Sequence, residues 1–314
     1  MKKMRKNKLL LSSFFALLGL IIVELIIYAN FSKITEDEIL ISFVVTGDNL
    51  DAWETMKSGA QTATLDTGSQ ATFLNSPVSA GAKGEIELIE RQLNEGADYV
   101  IVASGFFEEV SGYVEENNLS GKVFFVKNGD TNIKNGIITD DYSLGQDYAS
   151  FIMDKSSDDN LLILYTDESI TNEKIIEGLQ DGFEGSGVNI NLQHLKSDDD
   201  VITNVVSKEI IVGNYDGAIV LDSNILDAAV GVKGLSESGF HIYGVDDRQA
   251  AVYYLDSDLI KALACKDDYT IGFLAVKQVL SKEKEDVSAP LYYIVEREDI
   301  YSEQYEKVLF PFAK

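Results

Sequence analysis

From Ile39 onward, short apolar runs of strand length recur between segments with helical spacing, and this alternation constrains the fold more than any other feature of the chain. The runs are Ile39–Val45, Ala71–Leu74, Tyr99–Ala103, Val123–Val126, Gly136–Ile138, Leu161–Tyr165, Ile190–His194, Gly217–Leu221, Ile242–Val245 and Lys261–Ala264. Between them, Ile86, Leu88, Ile89 and Leu93 precede Gly96, and Ile175, Ile176, Leu179 and Phe183 repeat at helical spacing. Runs that are apolar on both sides suit parallel strands covered on both faces. The predicted fold class is therefore α/β, with one or two doubly wound parallel sheets and binding residues in loops at the strands' carboxyl ends. The sequence shows no repeat of fixed period and no low-complexity tract. Asp198-Asp199-Asp200 reads as a solvated loop or a helix start.

The first 30 residues follow a different rule. Lys2, Lys3, Arg5, Lys6 and Lys8 precede Leu9–Tyr28, a 20-residue stretch with one charge, Glu24. In a helix, that stretch covers about 30 Å, the hydrocarbon thickness of a bilayer. A basic flank on the N-terminal side predicts a cytoplasmic N-terminus and an extracytoplasmic remainder, so the expected localisation is a single-pass protein of the cell membrane. A cleaved signal peptide has the same general layout. However, the boundary Ile27-Tyr28-Ala29-Asn30-Phe31-Ser32 has no A-x-A-like site, and no Cys follows to accept a lipid. The segment is read as an uncleaved anchor. Glu24, near the outer end of the span, either reaches to the interface or contacts the transmembrane helix of a partner.

Charge limits the classes of function. The chain has 52 acidic and 26 basic side chains, a net of −26; without the first 30 residues, 51 acids face 21 bases, a net of −30. A domain this acidic has no basic footprint for nucleic acid and is repelled by anionic headgroups. One Cys (Cys265) and two His (His194, His241) cannot supply a tetrahedral Cys/His zinc set, so no metal or other cofactor is expected. There is no nucleophile with a base beside it and no glycine-rich phosphate loop, and the chain is not read as an enzyme.

Local signatures along the chain occur in a recognisable order. They are Val44 to Trp53 followed by Met56-Lys57-Ser58-Gly59-Ala60; Ile89-Glu90-Arg91-Gln92-Leu93-Asn94-Glu95-Gly96-Ala97-Asp98-Tyr99-Val100-Ile101; Thr139-Asp140-Asp141-Tyr142-Ser143-Leu144-Gly145; Ile176-Glu177-Gly178-Leu179-Gln180-Asp181-Gly182-Phe183; Gly217–Asp222; Ile242–Asp246; and Lys266-Asp267-Asp268-Tyr269-Thr270-Ile271-Gly272. In these, residues 38–300 resemble the type I periplasmic solute-binding proteins of ribose and galactose type, which are related to the effector domains of lactose-repressor-type regulators. The resemblance implies two doubly wound lobes joined by three crossovers that close on a ligand. With the basic segment (1–8), anchor (9–28) and linker (29–38) read from charge and hydropathy, the resemblance leaves a first lobe (39–139 and 267–294) and a second lobe (140–266 and 295–314).

The resemblance also assigns candidate ligand contacts. Asn49 and Trp53 fall where the family places an amide and a stacking aromatic, although Trp53 could equally pack on the core. Asp222 and Asp246 end strands where the family accepts sugar hydroxyl protons; helix N-capping is the competing role. Other positions depart from the pattern. Lys127-Asn128 stands where an Asp-Arg pair is common, and Glu173, Lys174 and Ile175 stand where an Arg is usual. Lys266 replaces the Gln of Gln-Asp-Pro-Tyr, and is expected either to hold the ligand or to neutralise Asp222 and Asp246. The implied ligand is carbohydrate or sugar-like, and the implied partner is a membrane histidine kinase or an ABC permease. A ligand-free interaction module with a degenerate cleft is the alternative. Replacing Glu24 with Leu is expected to leave membrane insertion intact and to lower recovery of a partner on detergent pull-down; unchanged recovery would remove the partner-helix role.

Overall fold

The computed structural model describes residues 38–48, 50–128, 135–166, 169–196, 199–212, 215–233, 239–281, 290–305 and 309–310. The expected anchor at 9–28, with Glu24, lies outside the described residues. Among the described residues, no helix is long and apolar enough to cross a membrane.

The chain forms two α/β lobes. In the first, strands β1 (Leu40–Thr46), β2 (Gln70–Ser76), β3 (Tyr99–Ala103), β4 (Val123–Asn128) and β5 (Gly136–Ile138) make a parallel sheet in the order β2-β1-β3-β4-β5. In the second, β6 (Asn160–Tyr165), β7 (Asn189–His194), β8 (Gly217–Val220), β9 (His241–Val245), β10 (Ala262–Lys266) and β11 (Tyr292–Glu296) lie in the order β7-β6-β8-β9-β10-β11. All are parallel except β11, which runs antiparallel to β10. The second sheet thus repeats the strand order of the first and adds one antiparallel edge. Among the described residues, ten of the eleven strands were legible as apolar runs; β11 was not.

The helices are α1 (Glu54–Thr67), α2 (Gly81–Asn94), α3 (Phe107–Glu116), α4 (Asp141–Lys155), α5 (Ile170–Phe183), α6 (Asp199–Val212), α7 (Ser223–Lys233), α8 (Gln249–Asp256) and α9 (Asp268–Ser281). Alternate side chains of each central strand enter different cores, as a period of two requires. Ile41, Phe43 and Val45 of β1 pack with α1 and α9, whereas Val44 packs with α2 and α3. In β6, Leu161 and Ile163 face α4 and α5, while Leu162 and Leu164 face α6, α7 and α8. Although α9 follows β10, it packs on α1, β4 and β5 of the first lobe. The chain therefore passes to the second lobe after β5, returns after β10, and crosses again between α9 and β11.

Both lobes contain a helix pair packed backbone against backbone. A Cβ added at Gly59 of α1 would lie 1.9 Å from the Tyr269 carbonyl oxygen, and one at Gly272 of α9 would lie 2.1 Å from that of Met56. In the second lobe, a Cβ at Gly178 of α5 would lie 2.0 Å from the Tyr142 oxygen, and one at Gly145 of α4 would lie 2.3 Å from that of Ile175. Because the neighbour is backbone in each case, a methyl group can enter only by parting the helices. Gly178→Ala is expected to lose about 1–3 kcal/mol of stability by overpacking. Gly112→Ala on α3, where an added Cβ meets nothing within 4 Å, is expected to gain about 0.4–1 kcal/mol. Urea unfolding of the two variants checks the opposite signs.

Candidate functional site

In a doubly wound sheet, ligands bind outside the carboxyl ends of the strands where the strand order reverses. That point lies between β1 and β3 in the first sheet and between β6 and β8 in the second. At the first, Thr46 ends β1 and Ser104 follows β3. Beneath them sits Glu85 of α2, fully buried, whose carboxylate accepts the hydroxyl protons of Thr46 and Ser104. The Gly105 N–H donates to the same carboxylate at 3.2 Å. Trp53, just before α1, packs partly buried against the first-lobe core, and its indole N–H donates to the Thr46 carbonyl at 3.2 Å.

The second switch point has a comparable clamp. Asp222 follows β8 and caps α7, accepting the N–H groups of Asn224 and Ile225 at 2.9 and 3.2 Å. Its other oxygen accepts the hydroxyl proton of Thr166, which follows β6. Beside it, Tyr165 at the end of β6 stacks on His194 at the end of β7, with ring centroids 5.1 Å apart.

Asp246, at the end of β9, is buried and engaged on both oxygens. It accepts the Arg248 N–H at 2.8 Å, and the Arg248 guanidinium meets it through Nε at 3.0 Å and Nη2 at 2.8 Å. The same guanidinium reaches Asp227 of α7 at 2.9 Å and the Ser223 carbonyl at 3.0 Å. Burial opposes the Arg248 charge, but the hydrogen bonds and charges of Asp227 and Asp246 outweigh it and raise its pKa above the ordinary arginine value. The cation thus joins β9 to α7.

Lys266, at the end of β10, behaves differently from the sequence expectation. It neutralises neither Asp222 nor Asp246. Its Nζ lies 2.7 Å from Asp141 Oδ1, with side-chain exposures of 8% and 0%, and 3.4 Å from the Thr139 hydroxyl. Thr139 and Asp141 lie on the crossover between β5 and α4, whereas Lys266 begins the one between β10 and α9. The pair therefore ties two crossovers together at the hinge. The cavity between Thr55 of α1 and Asp246, Asp247, Cys265 and Lys266 is ≈ 10 Å³, room for about one water and not for a sugar.

Of the other expected contacts, Asn49 lies outside the described residues. Lys127 and Asn128 are the last residues of β4, where the pairing with β5 shifts register between Val126 and Asn128. The sequence reading missed Glu85, Arg248, Asp141 and the Tyr165–His194 stack. Only Arg248 left a local signal, a cation two residues beyond a strand-ending Asp.

Residues 41–285 match the family described as periplasmic binding protein domain. The chain belongs to that family. Solved structures of sugar-binding proteins share its fold. A glucose-galactose binding protein from Geobacillus stearothermophilus is 15% identical with a TM-score of 0.70, over 85% of this chain and all of the other. A carbohydrate transporter protein from Acidothermus cellulolyticus, in complex with myo-inositol, is 15% identical with a TM-score of 0.69, over 84% and 96% of the two chains. A chain of a XylFII–LytSN complex is 16% identical with a TM-score of 0.65, over 83% and 99%. No curated protein matches the chain.

The Lys266–Asp141 pair lies among the crossovers that join the two lobes. Removing one member leaves the other as an uncompensated buried charge. Lys266→Met is expected to lose about 3–5 kcal/mol of stability, and Lys266→Met with Asp141→Leu to recover most of it. Chemical denaturation of the single and double variants measures this directly.

Proposed function

We propose that the chain is a membrane-anchored, extracytoplasmic solute-binding receptor for a carbohydrate or sugar-like ligand, which closes its two lobes on that ligand. The observation that carries the reading is the pair of switch points, one edged by hydroxyl oxygens held on a buried carboxylate and the other by a hydroxyl and a carboxylate, in a chain that belongs to this family. Thr46 and Ser104 edge one wall, and Thr166 and Asp222 edge the other. Such oxygens suit a ligand whose hydroxyls donate in several directions, and Trp53 and Tyr165 add aromatic surface for a C–H face. Proteins of the same fold described as holding myo-inositol or D-arabinose support this ligand class. The anchor rests on the basic cluster and the apolar stretch at 9–28.

Ligand-stabilised closure then serves either delivery to an ABC permease or signalling to a membrane sensor kinase. Transporter proteins among the similar structures support the first, and the XylFII–LytSN complex supports a role beside a second protein. One observation favours the alternative of a ligand-free interaction module: Asp246 and Lys266 are both engaged by partners within the chain.

The two readings separate in a thermal-shift experiment on residues 31–314 with mono- and disaccharides, sugar acids and cyclitols. A bound ligand at 100 times its Kd stabilises by about 2.7 kcal/mol. A rise in melting temperature with at least one compound is expected. No rise across the panel would overturn the receptor reading in favour of the interaction module. Trp53→Ala is expected to weaken any such hit, and equal affinity would remove the stacking role.

A further inference from the structure

The buried carboxylate of Glu85 has an organisation that packing does not require. It projects from α2 to the carboxyl edge of the sheet at full burial, and its partners, the Thr46 and Ser104 hydroxyls and the Gly105 N–H, are all uncharged. An unpaired polar or charged group in such a place is costly unless hydrogen bonds compensate it. Here the compensating donors come from the two strand ends that flank the switch point. Gly105 is held close for the same reason: a Cβ there would lie 2.9 Å from Thr46 Cγ2. The Thr46 carbonyl in turn accepts the Trp53 indole N–H, and Ser104 Oγ accepts the Phe106 N–H at 2.9 Å. One carboxylate therefore fixes the relative position of β1, β3 and the single Trp of the chain.

The direction of these hydrogen bonds has a chemical consequence. The hydroxyl proton of Ser104 points inward to Glu85, and that of Thr46 is shared between Glu85 and the Ala103 carbonyl at 3.2 Å. Thr46 Oγ1 also accepts the Gly105 N–H and Ser104 Oγ accepts that of Phe106, so toward the cleft each oxygen has one lone pair left to offer and no proton. We propose that Glu85 is a positioning residue for ligand recognition: it joins β1 to β3 across the switch point and makes this wall a hydrogen-bond acceptor, matched to hydroxyl donors on the ligand. This rests on the receptor reading above.

The test uses Trp53 emission, acrylamide quenching and sugar titration on wild type, Glu85→Gln and Thr46→Val. In Glu85→Gln an amide NH₂ replaces one oxygen, so the hydroxyl that meets it becomes an acceptor and turns its proton away from residue 85, Thr46 toward the Ala103 carbonyl and Ser104 toward the cleft. Thr46→Val removes one hydroxyl at constant shape, and decides the matter alone if Glu85→Gln does not fold. In the absence of sugar, both variants are expected to show red-shifted emission and stronger quenching than wild type, because loosening Thr46 loosens the Trp53 contact to its carbonyl; a weaker sugar affinity in variants that unfold at the wild-type urea midpoint is the readout that a purely structural role would not move. Wild-type emission and quenching in both would overturn the proposal. With D-galactose, D-arabinose and myo-inositol as probes, the variants are expected to bind about tenfold more weakly, as the loss of one well-placed hydrogen bond implies. Unchanged affinity in both variants overturns the role of Glu85 alone, whereas failure of wild type to bind any probe overturns the receptor reading and its ligand half together.

Discussion

Lys266 and Asp141 meet nearly out of reach of water, and their contact ties together two of the crossovers that join the lobes. A charge pair taken out of water recovers its desolvation cost only through close geometry and additional hydrogen bonds. The 2.7 Å separation supplies the first and the Thr139 hydroxyl part of the second. Because Asp141 begins α4 and Lys266 ends β10, the pair joins the first exit from the first lobe to the first return. Rotation about the crossovers that kept this pair intact would concentrate backbone change in the residues on either side of it. A ligand that favours one lobe arrangement must do so against a hinge whose centre is already cross-tied.

The same economy of charge runs through the cleft. Arg248 satisfies Asp246 and Asp227 together, Asp222 is divided between a helix cap and Thr166, and Glu85 takes three neutral donors. Charged groups at the carboxyl ends of these strands thus have local partners, and the net charge of −30 beyond residue 30 belongs largely to the solvated surface. There it repels anionic lipid and favours docking partners with a basic face.

What the sequence revealed follows from the range of each interaction. β1, β3 and β6 were legible because burial on both faces writes an uninterrupted apolar run. β11 was not, because Tyr292–Glu296 lies beyond the strand–helix alternation and pairs antiparallel. Asp222 and Asp246 could be placed at strand ends, but their competing roles turn on Thr166, which is 56 residues from Asp222, and on Arg248. Lys266 was found as an altered hinge residue, but its partner is far away in sequence on another crossover. Glu85 looked like one acid among Glu85, Glu87 and Glu90 on a helix; only the topology shows that it alone turns beneath the sheet edge. Gly59, Gly145, Gly178 and Gly272 resembled ordinary small residues in helical patterns until their facing carbonyls were known.

The two lobes repeat one strand order and one glycine-mediated helix crossing, yet they clamp their switch points differently. In the first, the carboxylate comes from a helix and lies below the wall, so the wall itself offers neutral lone pairs from Thr46 and Ser104. In the second, Asp222 itself follows β8, with one oxygen given to the α7 N-terminus and the other to Thr166, so the carboxylate belongs to the wall. Both walls accept and neither is built around a free cation among the described residues that edge them. A ligand rich in hydroxyl donors would find partners on each side, whereas a multiply anionic one would face oxygen lone pairs on both. That asymmetry follows from where each carboxylate is anchored and not from the number of acids in the chain.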